Sequence, residues 1–359
     1  MRMKAAVLWE RRTPLVVEDV ELADPAPGEA RVKILASGVC HSDLHHIKRE
    51  TAFLPPIVLG HEAAGVVEEV GPGVTRVQPG DRVIVVFGAR CGECYFCLRG
   101  QHHLCTAPYP DNPRIRKGDR VLTAFIGVGG FAEYANVDAK NLIRIPDEMP
   151  IDRAALIACG VTTGVGAVIK TARVEPGANV VVIGVGGVGL NVIQGAQLAG
   201  AARVIAVDLR DGKLELAREF GATHGVNAAR EDPVAAVRRL TGGMGADYAF
   251  EVIGNAGTIR QAYESVRKGG SAVIVGLASQ DEEFSMPADS IVRTGKSLVG
   301  CFYGSVNPYE DIPKYVDLYL QRRLKLDELI SRRFALDEIN EAFAAMEAGE
   351  VARGVITFD

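Results

Sequence analysis

Four cysteines fall within fifteen residues, Cys91-Gly92-Glu93-Cys94-Tyr95-Phe96-Cys97 and then Cys105, giving a C-x2-C-x2-C-x7-C run. Four thiolates complete a tetrahedral zinc shell with no exchangeable position, which describes a structural site. An iron–sulfur cluster fits less well, because no proline directly follows the last cysteine and no second set exists. A different mixture surrounds Cys40, in Gly38-Val39-Cys40-His41-Ser42-Asp43-Leu44-His45-His46, and twenty-one residues later comes Gly60-His61-Glu62-Ala63-Ala64-Gly65. Cysteine with histidine suits a catalytic zinc, which needs three protein ligands and one open position. Cys159 is a candidate third ligand, whereas Cys301 reads as a small apolar packing residue.

A second chemistry is written in the middle of the chain. The apolar run Asn179-Val180-Val181-Val182-Ile183 has the composition of a strand buried on both faces. Gly184-Val185-Gly186-Gly187-Val188-Gly189, a G-x-G-x-x-G, follows it and opens the helical pattern Leu190 to Leu198. A further strand, Ala202 to Val207, ends in Asp208, nineteen residues beyond Gly189. In that context the glycines let backbone approach a pyrophosphate at the helix N-terminus. Asp208 accepts hydrogen bonds from a ribose and repels a 2′-phosphate, which favours NAD over NADP.

These groups need a scaffold, and the rest of the sequence supplies two. βα alternation continues through Ala246–Gly254, the helical Thr258–Arg267 and Ser271–Gly276, predicting a doubly wound parallel sheet over residues 161 to 302. The first 150 residues instead carry short Val-rich strands between turn signals such as Pro27-Gly28, Gly71-Pro72-Gly73 and Pro79-Gly80-Asp81, the pattern of an antiparallel β-rich domain. Beyond Tyr303, helical periodicity around Lys314–Gln321 and Leu336–Ala348 precedes a final strand, Gly354–Phe358. The boundary is expected near Cys159-Gly160.

Bulk properties restrict the partners. With 359 residues, 48% hydrophobic and 24% charged, the chain is long enough for two soluble domains with separate cores. A formal charge of −5 gives no reason to expect nucleic acid or an anionic membrane surface, so a small molecule is the expected partner. The N-terminus has no long apolar segment with a cleavage site, and no apolar run reaches a membrane span uninterrupted by glycine or charge. A cytoplasmic protein is expected, in which the seven cysteines are read as metal ligands or free thiols rather than disulfides.

In the combination of Gly60-His61-Glu62, the Cys91 to Cys105 cluster and the Gly184 to Gly189 turn, the whole chain resembles the zinc-containing medium-chain alcohol dehydrogenases. The resemblance implies a GroES-like catalytic domain built from residues 1–160 and 303–359, with a structural zinc lobe at about 88–110, and a Rossmann NAD-binding domain at 161–302. It implies two zinc ions per chain. The catalytic one falls on Cys40, His61 and Cys159, with Glu62 as an alternate carboxylate near the metal. Asp43 would orient His61. Ser42 would take the substrate proton and pass it through the nicotinamide ribose to His45.

Cofactor contacts implied in the same way are His41, Thr163, Gly184, Gly186, Gly187, Val188, Gly189, Asp208, Lys213 and Arg353, the last reaching the pyrophosphate. His41 departs from the Arg common in animal members, which implies a weaker hold on phosphate. The substrate pocket falls on Phe87, Phe125, Ile126, Leu277 and Phe302, an apolar and aromatic lining that suits medium-length, allylic or aromatic primary alcohols and aldehydes. A loop with four cations, Asp111-Asn112-Pro113-Arg114-Ile115-Arg116-Lys117-Gly118-Asp119-Arg120, offers an alternative. It could hold the carboxylate of a formaldehyde–thiol adduct. A zinc- and NAD-binding protein without catalysis is the alternative of another class. Homodimers or homotetramers are expected, through a pairing strand at Ser297–Phe302.

Overall fold

Alternating apolar residues build two β-sheets in the first part of the computed structural model, which describes residues 1–48, 53–88, 91–108 and 114–358. Arg2–Leu8, Val16–Leu22, Ile115–Lys117, Arg120–Ala124 and Ile57–Val58 close into a small barrel. Met3, Ala5 and Val7 point to one face of the first strand and meet Val20, Leu22, Val58, Ile115 and Leu122. Arg2 and Lys4, on the other face, are exposed, while further along Ala6 and Leu8 on that face are buried too.

A seven-stranded sheet carries the chemistry. Its order is Leu142–Arg144, Arg82–Val85, Glu62–Val70, Glu29–Gly38, Arg353–Thr357 and Ile330–Phe334, with Tyr134–Asp138 also paired to Glu29–Gly38. The C-terminal strand lies antiparallel to Glu29–Gly38, Val355 facing Gly38, while Gly38 faces Glu62 on its other side. Helix Ile151–Leu156 packs on the same central strands.

The chain divides into two compact units, Met1–Gly160 with Asn307–Asp359, and Val161–Val306. The second unit is a six-stranded parallel sheet in the order His224–Asn227, Arg203–Asp208, Asn179–Ile183, Ala246–Glu251, Val266–Ile274, Ser297–Gly300. This is the doubly wound topology, in which the strand order reverses between Asn179–Ile183 and Ala246–Glu251. One core cluster joins Val181, Ile183, Ile205, Val207 and Ala249 to helical Ala236, Val237 and Ala262. Tyr303 and Ser305 have left-handed backbones around Gly304, and a Cβ on Gly304 would collide with the Thr162 carbonyl. That close approach places the turn in the second unit.

Several element ends differ from expectation. The helix expected at Thr258–Arg267 spans Ala256–Ser265, capped by Asn255 accepting from the Thr258 N–H, and the following strand begins earlier, at Val266. The penultimate helix starts at Pro308, capped by Asn307, and the last is a 3-10 turn, Leu336–Glu338, leading into Ile339–Ala348. Caps, more than the apolar periodicity used to place them, set these starts. One helical stretch, Ile151–Ala172, is long and apolar enough to cross a membrane, but 78% of its apolar window is buried within the fold.

Candidate active site and metal centres

Strand pairing explains how Cys40 and His61 meet. Cys40 follows the end of Glu29–Gly38, His61 precedes the start of Glu62–Val70, and Gly38 pairs with Glu62 in register. Helix Ile151–Leu156 then runs into a π-helical turn, Ile157–Val161, that carries Cys159. Such turns re-aim a side chain out of the regular helical spacing and recur at functional sites. The outcome is a buried group in which ligand atoms of Cys40, His61, Glu62 and Cys159 all lie within 4.8 Å of one another.

The charges of this group suit a cation. A hydrogen bond with Cys159 holds the Cys40 thiol well below its ordinary value, outweighing the opposing effect of burial. Burial pushes the His61 imidazole down, but the Asp43 carboxylate and the Cys40 thiolate more than offset it and raise it to about 10. Asp43, fully buried, accepts from the Gly60 N–H at 3.0 Å and sits 3.1 Å from His61 Nδ1, leaving Nε2 for the cluster. Glu62 Oε1 is buried with no hydrogen-bond partner. A soft, thiolate-rich donor set that holds a proton when metal-free is one that a zinc ion fits, taking over the positive charge.

Arg353 was missed as a neighbour of this group. Expected at a pyrophosphate, its guanidinium is 6% exposed and ion-paired with Glu62, which is fully buried. Gly38 makes room: a Cβ there would collide with Glu62 Oε2 and lie 3.1 Å from Arg353 Nη2. The signal in the sequence was faint. Only the antiparallel pairing of the last strand to Glu29–Gly38 brings residues 291 positions apart together.

Helix His41–Lys48 presents the expected proton carriers. Ser42 Oγ is 3.8 Å from Cys40 Sγ, and Ser42 and His45 are both partly accessible, while His41 is exposed. His46, given no role from sequence, has its ring centroid 4.2 Å from that of Phe125, and burial, with His61, His45 and Arg11, pushes it down to about 4. Phe87 and Phe125 flank His61 edge-on, with ring centroids at 5.4 and 5.6 Å. Ile126 is buried beside Phe125 with φ at 44°. A β-branched residue held there stores about 1–3 kcal/mol of strain, a feature concentrated at functional sites. Leu277 and Phe302, the remaining expected pocket residues, are surface-exposed in the second unit.

Three of the four cations in the 111–120 loop have partners within their own unit. Asp111, Asn112 and Pro113 lie outside the described residues. Arg114 pairs with Glu29 at 3.4 Å, Lys117 with Glu18 at 3.0 Å, and Arg120 lies over the Trp9 ring, while Arg116 stands opposite Glu21 in the barrel.

The four-cysteine lobe is assembled as its spacing predicts. Cys91 Sγ is 3.7 Å from Cys105 and 4.0 Å from Cys97, and the Cys94 and Cys97 N–H groups donate to the sulfurs of Cys91 and Cys94. The N–H groups of Cys97 and then Thr106 lower the Cys94 thiol to about 6, while burial pushes Cys97 up to about 12. Four sulfurs gathered this closely suit a dication, which draws them into a common thiolate shell. Cys97→Ser is expected to remove one zinc per chain by elemental analysis and to lower Tm by roughly 5–10 °C, since losing such a site removes several kcal/mol. Unchanged metal content in the folded variant would show the lobe to be held otherwise.

In the second unit each glycine of the turn has a separate physical task. Gly184 has φ at +95°, and a Cβ on Gly189 would collide with the Gly184 carbonyl where the helix Gly187–Leu198 leaves the strand. Gly186 has open space where its side chain would be. Asp208, at the end of the next strand, accepts from the Val185 N–H at 2.9 Å and the Leu209 N–H at 2.8 Å, fixing its carboxylate beside the turn. Lys213 lies in the first turn of helix Asp211–Glu219, and both it and Thr163 are partly accessible.

Known proteins match both parts of the chain. Residues 26–147 match the alcohol dehydrogenase GroES-like domain, and residues 187–321 the zinc-binding dehydrogenase family. An alcohol dehydrogenase class-3 from Myxine glutinosa is 43% identical over 98% of this chain and 97% of its own. The crystal structure of an alcohol dehydrogenase zinc-binding domain protein from Burkholderia ambifaria superposes with a TM-score of 0.95 at 32% identity, covering 100% of this chain and 99% of that one. A benzyl alcohol dehydrogenase from Acinetobacter calcoaceticus gives 0.95 at 31% identity, with both chains fully covered.

Proposed function

The chain belongs to the zinc-containing medium-chain alcohol dehydrogenases, and from that premise we propose an NAD-linked enzyme for primary, medium-chain, allylic or aromatic alcohols and their aldehydes. The buried group of Cys40, His61, Glu62 and Cys159, with Asp43 behind His61, is the observation that carries this reading. When bound there by Cys40, His61 and Cys159, zinc supplies Lewis acidity that lowers the pKa of an alcohol hydroxyl, and a nicotinamide accepts the hydride. The balance is one alcohol and NAD giving one aldehyde, NADH and a proton.

The chain's own residues handle that proton and orient the reactants. Asp43 fixes the His61 ring so that Nε2 faces the cluster. Ser42 Oγ, beside Cys40, accepts the hydroxyl proton, and His45, three residues further along the same helix, passes it to solvent. Phe87, Phe125 and Ile126 give an apolar wall next to His61. Gly184, Gly186, Gly187, Val188 and Gly189 receive the pyrophosphate, and Asp208 with Lys213 the adenosine ribose. The exposed strand Ser297–Gly300, at the end of its sheet, is proposed as the pairing edge of a homodimer or homotetramer.

The test is a panel of benzyl, allylic and aliphatic primary alcohols, and formaldehyde with glutathione, each with NAD and NADP. Benzyl alcohol with NAD is expected to lead. The thiol-adduct arm is expected to be weaker, because Arg114 and Lys117 already pair with Glu29 and Glu18. The reverse order would make a thiol adduct the substrate, and no turnover with a single zinc would leave a binding protein. Asp208→Ala is expected to move the ratio of kcat/KM values toward NADP by about 10- to 100-fold, since one repelling charge of this kind controls on the order of 1–3 kcal/mol. An unmoved ratio would remove Asp208 as the selector.

A further inference from the structure

We propose that Glu251 is a positioning residue for dinucleotide binding, its buried carboxyl pinning the turn after its own strand against the glycine turn without touching the ligand. The inference rests on the reading that the second unit binds a dinucleotide.

Glu251 ends strand Ala246–Glu251 and is fully buried. Its Oε1 accepts three hydrogen bonds at 2.8 Å, from the Ile253 and Gly254 N–H groups and the Thr258 hydroxyl. Its carbonyl accepts two more, from Val275 at 2.8 Å and Gly276 at 3.0 Å. One residue thus gathers five donors from the two segments that follow adjacent strands. Those segments are in backbone contact: a Cβ on Gly276 would collide with the Gly254 nitrogen, and one on Gly254 would lie 2.5 Å from the Leu277 carbonyl carbon.

The pinned turn reaches the glycine turn directly. The Val252 N–H donates to the Ile183 carbonyl at 2.9 Å, and Ile253 Cγ1 would lie 2.6 Å from a Cβ on Gly184. Ile253 is 48% exposed at this end of the sheet, beside the point where strand order reverses. Ligands of doubly wound sheets settle there, outside the carboxyl ends of the strands. Moving the Val252–Gly254 turn therefore moves a wall of that crevice together with Gly184.

The carboxyl is costly where it stands. Oε2 has no hydrogen-bond partner, and burial pushes the group's pKa up despite the donors on Oε1. Space filling alone would be met better by an apolar side chain, whereas three donors need the acceptor.

The experiment compares Glu251→Gln, Glu251→Met and Thr258→Val in the full-length zinc enzyme, by NADH fluorescence titration and by steady-state kinetics with saturating dinucleotide. Glutamine keeps the Oε1 acceptor, so its NADH Kd is expected within about twofold of wild type, whereas methionine orphans three donors and should raise Kd by about tenfold or more. Thr258→Val, losing one donor, should raise Kd by about threefold, and kcat should stay within about twofold in all three variants. Wild-type protein that binds neither NADH nor NADPH overturns the dinucleotide reading and this proposal with it. With wild-type binding intact, a glutamine variant as weak as methionine overturns the proposal alone, as does a folded methionine variant of unchanged Kd. Should the methionine variant not fold, an unchanged Kd in Thr258→Val overturns it equally.

Discussion

Replacing Cys159 with serine is expected to lower kcat/KM for alcohol oxidation by about 10³-fold or more, because losing the metal's Lewis acidity forfeits several kcal/mol of transition-state stabilisation. Serine keeps the size of the side chain but gives up the thiolate that a borderline-soft dication prefers. Cys159 is also the group whose hydrogen bond holds the Cys40 thiol down, so one substitution weakens two donors. The effect should be confined to this site. Zinc content is expected to fall by one per chain while the four-cysteine lobe keeps its own ion, and NADH binding to the second unit should persist. Activity within about tenfold of wild type in a variant lacking that zinc would remove the catalytic role assigned to Cys40, His61 and Cys159. Loss of both zincs with a collapsed thermal transition would instead mark Cys159 as structural.

How much of this could be read from the chain depends on how local each feature is. The four-cysteine lobe and the glycine turn lie within short segments, so spacing alone gives their chemistry, down to Asp208 at the end of the next strand. Cys40 and His61 are further apart, yet each abuts a strand end, and one antiparallel pairing unites them. Cys159 depends on helix packing and a π-helical turn, for which the apolar pattern carries no signal, and only the family resemblance identified it. The pairing of Arg353 with Glu62 has no local signal in Val351-Ala352-Arg353-Gly354. Two of the 111–120 cations, Arg114 and Lys117, meet Glu29 and Glu18 from strands distant in the sequence. Each of these pairings is long-range, and no residue window contains it.

The Glu62–Arg353 pair leads to a prediction in which two changes together do less harm than one. Arg353→Met leaves a buried carboxylate without its counter-charge and is expected to cost about 3–5 kcal/mol, read as a fall in Tm of the zinc-loaded enzyme. Adding Glu62→Gln removes the stranded charge, so the double variant should recover at least about half of that loss, because a coupled pair behaves non-additively. Equal destabilisation in single and double variants would show that Arg353 stabilises by packing rather than by pairing. The same two proteins separate the roles assigned to this arginine. If it also reaches the pyrophosphate, the double variant regains stability while its NADH Kd stays about tenfold above wild type, the loss expected for one charge-assisted contact. If affinity returns with stability, Arg353 acts on Glu62 and the metal group alone. Its burial at 6% exposure, on a strand pinned to Gly38, favours the second outcome. A guanidinium shared with a pyrophosphate would have to divide itself between that ligand and the buried Glu62 carboxylate with which it is paired.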